Sequence, residues 1–302
     1  MINFILIAVC ILAGLLLRIL KLIPDHAHRG INTWIIYLAI PAVALKYIPA
    51  ISWSNDLLLP AVMPLIVWSG SWLVFKLYSL KFQISPATRT ALTLTAGLGN
   101  TSFVGFPLIQ AYYGHDAISI AVISDQVTFV LMSTVGAMMA MSTSSGKSLD
   151  VRSVLLKLIQ FPPFVAFLLA LILPHFVSLS PLNPLFEMIA ATLVPLALFS
   201  VGLQLNISGW RGEIKLLSIG LAYKLILAPL MIIGIALALH LRGIIPQIGI
   251  FEAAMAPMIT AAVIADQYQL NPKLANLMVG IGISLSFLTT GIWYLVLQYL
   301  VA

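Results

Sequence analysis

A chain of 302 residues that is 61% hydrophobic and 8% charged, with a mean hydropathy of +1.09, has too little polar surface to enclose a water-soluble core. Its formal net charge of +6 is therefore read as contact with anionic lipid, and a nucleic-acid partner is not expected. The lone Cys10 excludes an intramolecular disulfide and is read as a packing residue.

The opening stretch, "MINFILIAVCILAGLLLRILKLI", has no basic region before its apolar run and no small-residue cleavage site after it, so a retained span is expected. A hydrocarbon core about 30 Å thick needs roughly 20 apolar residues per helix. Polar and turn-rich clusters then divide the chain into ten predicted spans, near 2–23, 31–50, 57–76, 90–113, 118–142, 154–175, 185–205, 216–240, 248–268 and 275–301. The fold class is all-α and polytopic. Connections such as "PDHAHRG", "GHDA" and "SLSPLNP" leave no room for a soluble domain, so the chemistry must lie within the bundle.

Lys and Arg fall mostly on one side of these spans: Arg18, Lys21, Arg29, Lys76, Lys81, Arg89, Lys147, Arg152, Lys157, Arg211, Lys215 and Lys273, against Lys46 and Arg242 on the other. The positive-inside rule puts both termini on the non-cytoplasmic side. Trp34, Trp53, Trp72 and Trp293 fall at or near predicted span ends, as an interfacial aromatic belt would.

Prolines repeat in order through the two halves. Pro41, Pro64 and Pro107 fall in the second, third and fourth spans, and Pro195, Pro229 and Pro257 in the second, third and fourth spans of the second half. Five crossings per half, an odd number, force the second copy to insert upside down. The expected organisation is a first five-helix repeat over 1–143, a cytoplasmic connection over 144–153 and an inverted repeat over 154–302.

The stretch "GLGNTSFVGFPLIQAYYG" puts glycines, a proline and an Asn-Thr-Ser run where a plain span would carry Leu and Ile. Proline removes an amide donor and clashes with the carbonyl one turn earlier. Backbone groups freed in this way are tolerated only beside protein or a water-filled cavity. Broken helices at corresponding positions of two halves mark a binding site. The fourth and ninth spans are thus expected to break at Pro107 and Pro257, with a fresh half-helix beginning at Pro107.

The segments "GNTSFVGFPLIQAYYGHDAISIAV", "LVPLALFSVGLQL" and "FEAAMAPMITAAVIADQYQLNPKLANLMVGIGISLSFLT" resemble the auxin efflux carrier family, which comprises bacterial permeases for small carboxylates and the plant PIN carriers. The resemblance implies an inverted five-plus-five fold similar to that of the bile-acid sodium symporters, with the fourth and ninth spans crossing at Pro107 and Pro257. It also implies a scaffold of spans 1, 2, 6 and 7, a transport domain of spans 3–5 and 8–10 that moves as an elevator, and a homodimer. The large cytoplasmic loop of many plant members is absent, residues 143–153 reading only "TSSGKSLDVRS", and auxin itself is not carried over as substrate.

Half-helix N-termini present unpaired amides and the positive end of a dipole, which favours an anion. The expected cargo is a small mono- or dicarboxylate held by Asn100, Thr101, Ser102 and Gly105, with Thr260 as a counterpart in the ninth span. A larger organic anion or a passive anion channel are the alternatives. Three ionisable residues inside the spans are candidates for coupling. Asp125, roughly 10 Å into the fifth span at 1.5 Å per residue, is a proton carrier or polar wall of the site, or else an interhelical hydrogen-bonding group. Glu252, read as four residues or so from the outer interface, either contributes to coupling or is a wet helix cap. Lys224 either neutralises a carboxylate or serves as a structural partner for a carbonyl, a lipid phosphate or Asp125.

The remaining polar residues are weaker candidates. His26 and His28 are read as a solvated turn, His115 and Asp116 as an outer hairpin, Lys46 and Arg242 as interface anchors or steering charges, and Asp266 as a helix-end residue. No metal site, cofactor or enzymatic motif such as H-E-x-x-H is expected. Sodium coupling lacks the acid and amide ligands it would need, which leaves proton coupling or uniport. The expected setting is a bacterial cytoplasmic membrane.

Overall fold

The computed structural model of the chain describes residues 2–24, 26–51, 54–145, 152, 156, 158–205 and 210–301. Trp53, Lys147, Lys157 and most of the predicted 144–153 connection lie outside the described residues.

The secondary structure of the described residues is helical, with a single isolated bridge, Gly99 to Pro257, as their only β-type pairing. In chain order we label α1 (Ile2–Ile19), α2 (Ala27–Ala50), α3 (Asn55–Phe82), α4 (Pro86–Gly97), α5 (101–113), α6 (Ile118–Ser144), α7 (Pro162–His175), α8 (Ser180–Gln204), α9 (Trp210–Ala238), α10 (Ile244–Ala253), α11 (Ile259–Gln267) and α12 (Pro272–Leu300). Among the described residues, seven of these (α1, α2, α3, α6, α8, α9 and α12) are long and apolar enough to cross a membrane. The chain is an integral, polytopic membrane protein. Leu12 and Leu16 on α1 and Leu288 and Leu295 on α12 are more than half exposed, as a surface facing lipid allows.

Local chemistry sets the helix limits. Ser85 caps α4 by accepting from the Thr88 amide at 3.1 Å, with Pro86 at the first helical position. Asn271 caps α12 in the same manner, followed by Pro272. In both helices the proline occupies a position whose missing N–H costs nothing. Gly114 ends α5 with φ +91°, a conformation open to glycine.

Wide π turns precede three of the prolines. The turns at Ile35–Ala39, Thr101–Gly105 and Tyr223–Leu227 end two residues before Pro41, Pro107 and Pro229 respectively. A proline ring presses on the carbonyl four residues back and offers no donor to it, and one extra residue in the preceding turn accommodates both. This moves the break in the fourth predicted span. The helix does not restart at Pro107: α4 ends at Gly97, Leu98 is extended, and α5 begins at Thr101 and runs through Pro107. The ninth predicted span also differs from expectation. Its first half starts at Ile244, ahead of the predicted residue 248, and the gap before α11 holds Pro257.

α1 lies along the C-terminal half of α8, and α2 packs against α7 and α8. α3 packs against α4, α6 and α10, while α12 packs against α4 and α11. The α1–α8 contact is close because Gly14 and Gly202 face it: a Cβ on Gly202 would lie 2.3 Å from the Ile11 carbonyl oxygen, and one on Gly14 would lie 2.4 Å from that of Phe199. Trp293 is buried, with its Nε1 donating to the Leu225 carbonyl at 2.8 Å, so it is an interior strut and no part of an interfacial belt. Gly202→Ala is expected to push α1 off α8 and lower thermal stability by the equivalent of about 1–3 kcal/mol, read as the unfolding midpoint in detergent.

Candidate functional site

The two interrupted helices meet at their gaps. The Asn100 amide donates to the Ala256 carbonyl at 2.8 Å, and the Met258 amide donates to the Leu98 carbonyl at 3.0 Å. Gly99 and Pro257 face each other between these bonds as an antiparallel bridge. Groups left without helical partners are thus paired across the gap, as burial in an apolar setting requires. Gly282 on α12 makes room for this crossing, since a Cβ there would lie 2.5 Å from the Pro257 ring.

Asn100 has two tasks. Its Oδ1 caps α5 by accepting from the Phe103 amide at 3.2 Å. Its Nδ2 is buried and makes no hydrogen bond among the described residues, and Asn100 lines a cavity of about 150 Å³. The polar part of that cavity comes from Asn100, Ser102, Asp125, Thr260 and Asn32. Its apolar wall includes Ile36 and Ile40 from α2, and Phe129 and Phe161, whose rings stack at 3.5 Å. Met258 and Ile259, at the start of α11, complete the side facing α5.

The first amides of α5 and α11 have no partners within their own helices, and both helices begin at this cavity. Two positive dipole ends therefore converge on one small volume. The cavity lining contains no Lys or Arg.

The expected site residues separate into two layers. Asn100, Ser102 and Thr260 line the cavity. Thr101 is buried behind them, its Oγ1 donating to Asp125 Oδ1 at 2.6 Å, so it orients the acid and does not line the space. Gly105 is likewise not part of the cavity lining: a Cβ there would lie 2.9 Å from both Glu252 carboxylate oxygens, and its bareness admits that side chain. Asp125 reaches the cavity from α6 and also accepts from Gln126 Nε2 at 3.4 Å.

Glu252 is neither wet nor a helix cap. It is fully buried, one residue before the end of α10, and its carboxylate oxygens make no hydrogen bond among the described residues. The early start of α10 accounts for the difference, because it carries Glu252 inward to the gap. Lys224 is 1% exposed and comes from the wide turn in α9, with Nζ donating to the Ala253 carbonyl at 2.9 Å.

Other polar residues lie away from the cavity. His115 is exposed in the turn after α5, with its Nδ1 3.1 Å from the Tyr47 hydroxyl and its Nε2 2.9 Å from Gln110 Nε2. Lys46 pairs with Glu187 at 3.0 Å. Asp266 is exposed near the end of α11.

Reasoning from sequence missed Asn32, Phe129 and Phe161. Asn32 carried a usable signal, being an amide just inside an apolar span. It lines the cavity and accepts from the Ser200 hydroxyl of α8. The two phenylalanines carried none, because nothing local separates a cavity wall from a core.

Comparison with known proteins agrees with a membrane setting. The profile of a family described as "Membrane transport protein" matches residues 1–294. An "Uncharacterized transporter" of Methanothermobacter thermautotrophicus is 26% identical over 96% of this chain and 96% of its own. A second uncharacterized transporter, from Methanocaldococcus jannaschii, is 22% identical over 95% of both chains. A Rhizobium meliloti protein named "Putative malonate transporter" is 26% identical over 90% of this chain and 88% of its own.

The two roles of Asn100 are separable. Asn100→Ala is expected to lower the unfolding midpoint by the equivalent of about 1 kcal/mol through loss of the cap. Asn100→Ser, which keeps an acceptor, should stay closer to wild type in the same detergent assay.

Proposed function

The chain belongs to the membrane transport protein family of auxin efflux carriers, and from that footing we propose that it is a secondary transporter for a small organic anion, a mono- or dicarboxylate. The observation that carries this reading is the unpartnered Asn100 Nδ2 beside a cavity onto which two half-helix N-termini open. A carboxylate would accept from that amide and from the first backbone amides of α5 and α11. The Rhizobium relative's name points the same way, toward a small dicarboxylate.

We read α4 with α5, and α10 with α11, as single broken spans, which with the remaining helices makes ten crossings in two inverted sets of five. The packing of α1 along α8 and of α2 against α7 and α8, with α5 and α6 meeting this group at its edge, supports a scaffold of spans 1, 2, 6 and 7 carrying a mobile unit of spans 3–5 and 8–10. The cavity has lining from both sets, with Asn32 and Ile36 on the scaffold side and Asn100, Asp125 and Thr260 on the other. Sliding of one set against the other would carry an anion across as an elevator does. A homodimer in the bacterial cytoplasmic membrane, with both termini outside, completes the proposal.

Asp125 shares the cavity with the proposed cargo. Two like charges so close repel strongly in a medium of low dielectric. An anion therefore binds at lower cost when a proton sits on Asp125, and transport should quicken as the pH on the loading side falls.

The test is uptake of labelled malonate, malate, lactate and an indole acid into proteoliposomes, with pH and sodium gradients imposed independently. At least one of the small acids should show saturable uptake and counterflow, reduced ten-fold or more in Asn100→Ser. Steady conductance without counterflow would indicate a channel, and full uptake by Asn100→Ser would remove the cavity from the pathway. Asp125→Asn, a stand-in for the protonated acid, should retain uptake and lose most of its pH dependence.

A further inference from the structure

A groove of about 600 Å³ runs between α9 and α12 and shares no residue with the cavity beside Asn100. Leu217, Leu221 and Leu225 of α9 form its buried floor, and the more exposed Ile214, Ile226 and Leu285 form its walls. Small side chains at Ser218, Ala222 and Ser284 keep it open. On α9 the lining extends from Trp210 to Ile226. The stretch from Ile214 to Ile226 alone spans roughly 18 Å at 1.5 Å per residue, close to the depth of one leaflet in a hydrocarbon core about 30 Å thick.

One end of the groove is basic. Trp210 stands there, 41% exposed, with the Arg211 guanidinium carbon 6.0 Å from its ring centre. Both helices begin at this end, and the Lys273 ammonium reaches from α12 to the first turn of α9, where it would lie 3.6 Å from a Cβ on Gly212. Lys215 leans toward α3, 4.7 Å from the Phe82 ring centre, and Lys81 approaches the same ring at 5.6 Å. The acids nearest in the chain are Glu213 and Asp266, and among the described residues neither comes within 4.0 Å of these cations. An apolar slot one leaflet long, with an indole and unpaired cations at one end, has the shape and charge of a phospholipid whose headgroup is anionic. A second copy of the chain is a poorer match, because it brings more of the same charge, 15 Lys and Arg against 9 acids.

We propose that this groove is a binding site for one anionic phospholipid: its phosphate rests on Arg211 and Lys273, with Lys215 adding to the local field, and an acyl chain lies along α9 as far as Ile226. Cations beside a phosphate make charge-assisted hydrogen bonds, and Trp210 sits at headgroup level, where an amphipathic ring is favoured. A zwitterionic lipid offers the same chain, but its own cationic group is repelled by the same side chains. The bound lipid ties α9 to α12 at the end where both begin. The inference stands independently of what the cavity carries.

The test is the melting temperature of purified protein in neutral detergent, titrated with phosphatidylglycerol or with phosphatidylcholine of identical chains. Wild type should rise in a saturable way by roughly 2–5 °C with phosphatidylglycerol, and show no saturable rise with phosphatidylcholine or with inorganic phosphate. Arg211 and Lys273 are exposed, so the double variant Arg211→Gln, Lys273→Gln should melt as wild type does without lipid and need roughly ten-fold more phosphatidylglycerol to half-saturate. A control, Lys21→Gln with Arg29→Gln, removes two exposed cations remote from the groove and should respond as wild type. Ala222→Phe, which fills the groove, should abolish the rise; if it does not fold, Ser284→Phe tests the same space from α12. An equal rise with phosphatidylcholine would make the groove ordinary lipid-facing surface, an equal rise with inorganic phosphate would leave the chain without a role, and a melting temperature set by protein concentration and not by lipid would assign the groove to a second copy. Each of these, or an unchanged response in the Arg211 and Lys273 double variant, would overturn the proposal. Every readout is a melting temperature, so its failure would leave the transport reading intact, and absence of anion uptake would leave the lipid site intact.

Discussion

Everything at the centre of this molecule depends on how backbone groups are paired where two helices stop inside an apolar bundle. An amide or carbonyl left bare in such surroundings costs roughly 2–7 kcal/mol, enough that a few of them would rival the whole net stability of a domain. The cross-bonds Asn100 N to Ala256 O and Met258 N to Leu98 O remove that penalty with the least possible structure, a bridge of one residue pair at Gly99 and Pro257. Pro257 has no amide to leave bare, and Gly99 and Gly282 keep the space clear of side chains.

That pairing determines the rest of the centre. Fixing the two gaps against each other fixes the start of α5 and of α11, and so the place where their unpaired amides converge. Asn100 then serves as cap and as donor to the cavity because it sits at the one residue between gap and helix. Charges are sorted to either side. Asp125, held by Thr101, faces the cavity, whereas Glu252 and Lys224 lie behind the crossing, in space left by Gly105 and Gly99. The bare glycines on this strip serve charged neighbours more than they serve flexibility.

Much of this was legible in the sequence. Apolar runs located the helices, and the cluster of Gly, Asn, Thr, Ser and Pro around residue 100 marked an interruption, since both signals are local. The site of that interruption was not, because a proline is visible in the local pattern as a break, whereas the wide turn that accommodates it leaves no mark in residue type. A π turn over Thr101–Gly105 lets the helix run through Pro107, which moves the gap upstream to Leu98–Asn100. Glu252 was misplaced for a related reason: polar Gln247 and the short apolar run before it concealed a helix start at Ile244. Trp293 resembled a belt residue by position, yet its partner, the Leu225 carbonyl, is supplied by a distant helix. Contacts of that kind leave no trace in local pattern.

The wide turns also rotate the helical segments on their C-terminal side. Each inserts one residue beyond the regular count, and successive residues of an α-helix are turned by about 100°. The side chains beyond Gly105, from Phe106 to Tyr113, therefore face directions that a regular helix counted from Asn100 would assign to their neighbours. The aromatic cluster of Tyr112, Tyr113, Phe251 and Tyr294, which joins α5 to α10 and α12, owes its alignment to that offset. A one-residue irregularity at the centre of the bundle is thus legible as an angular phase at its end.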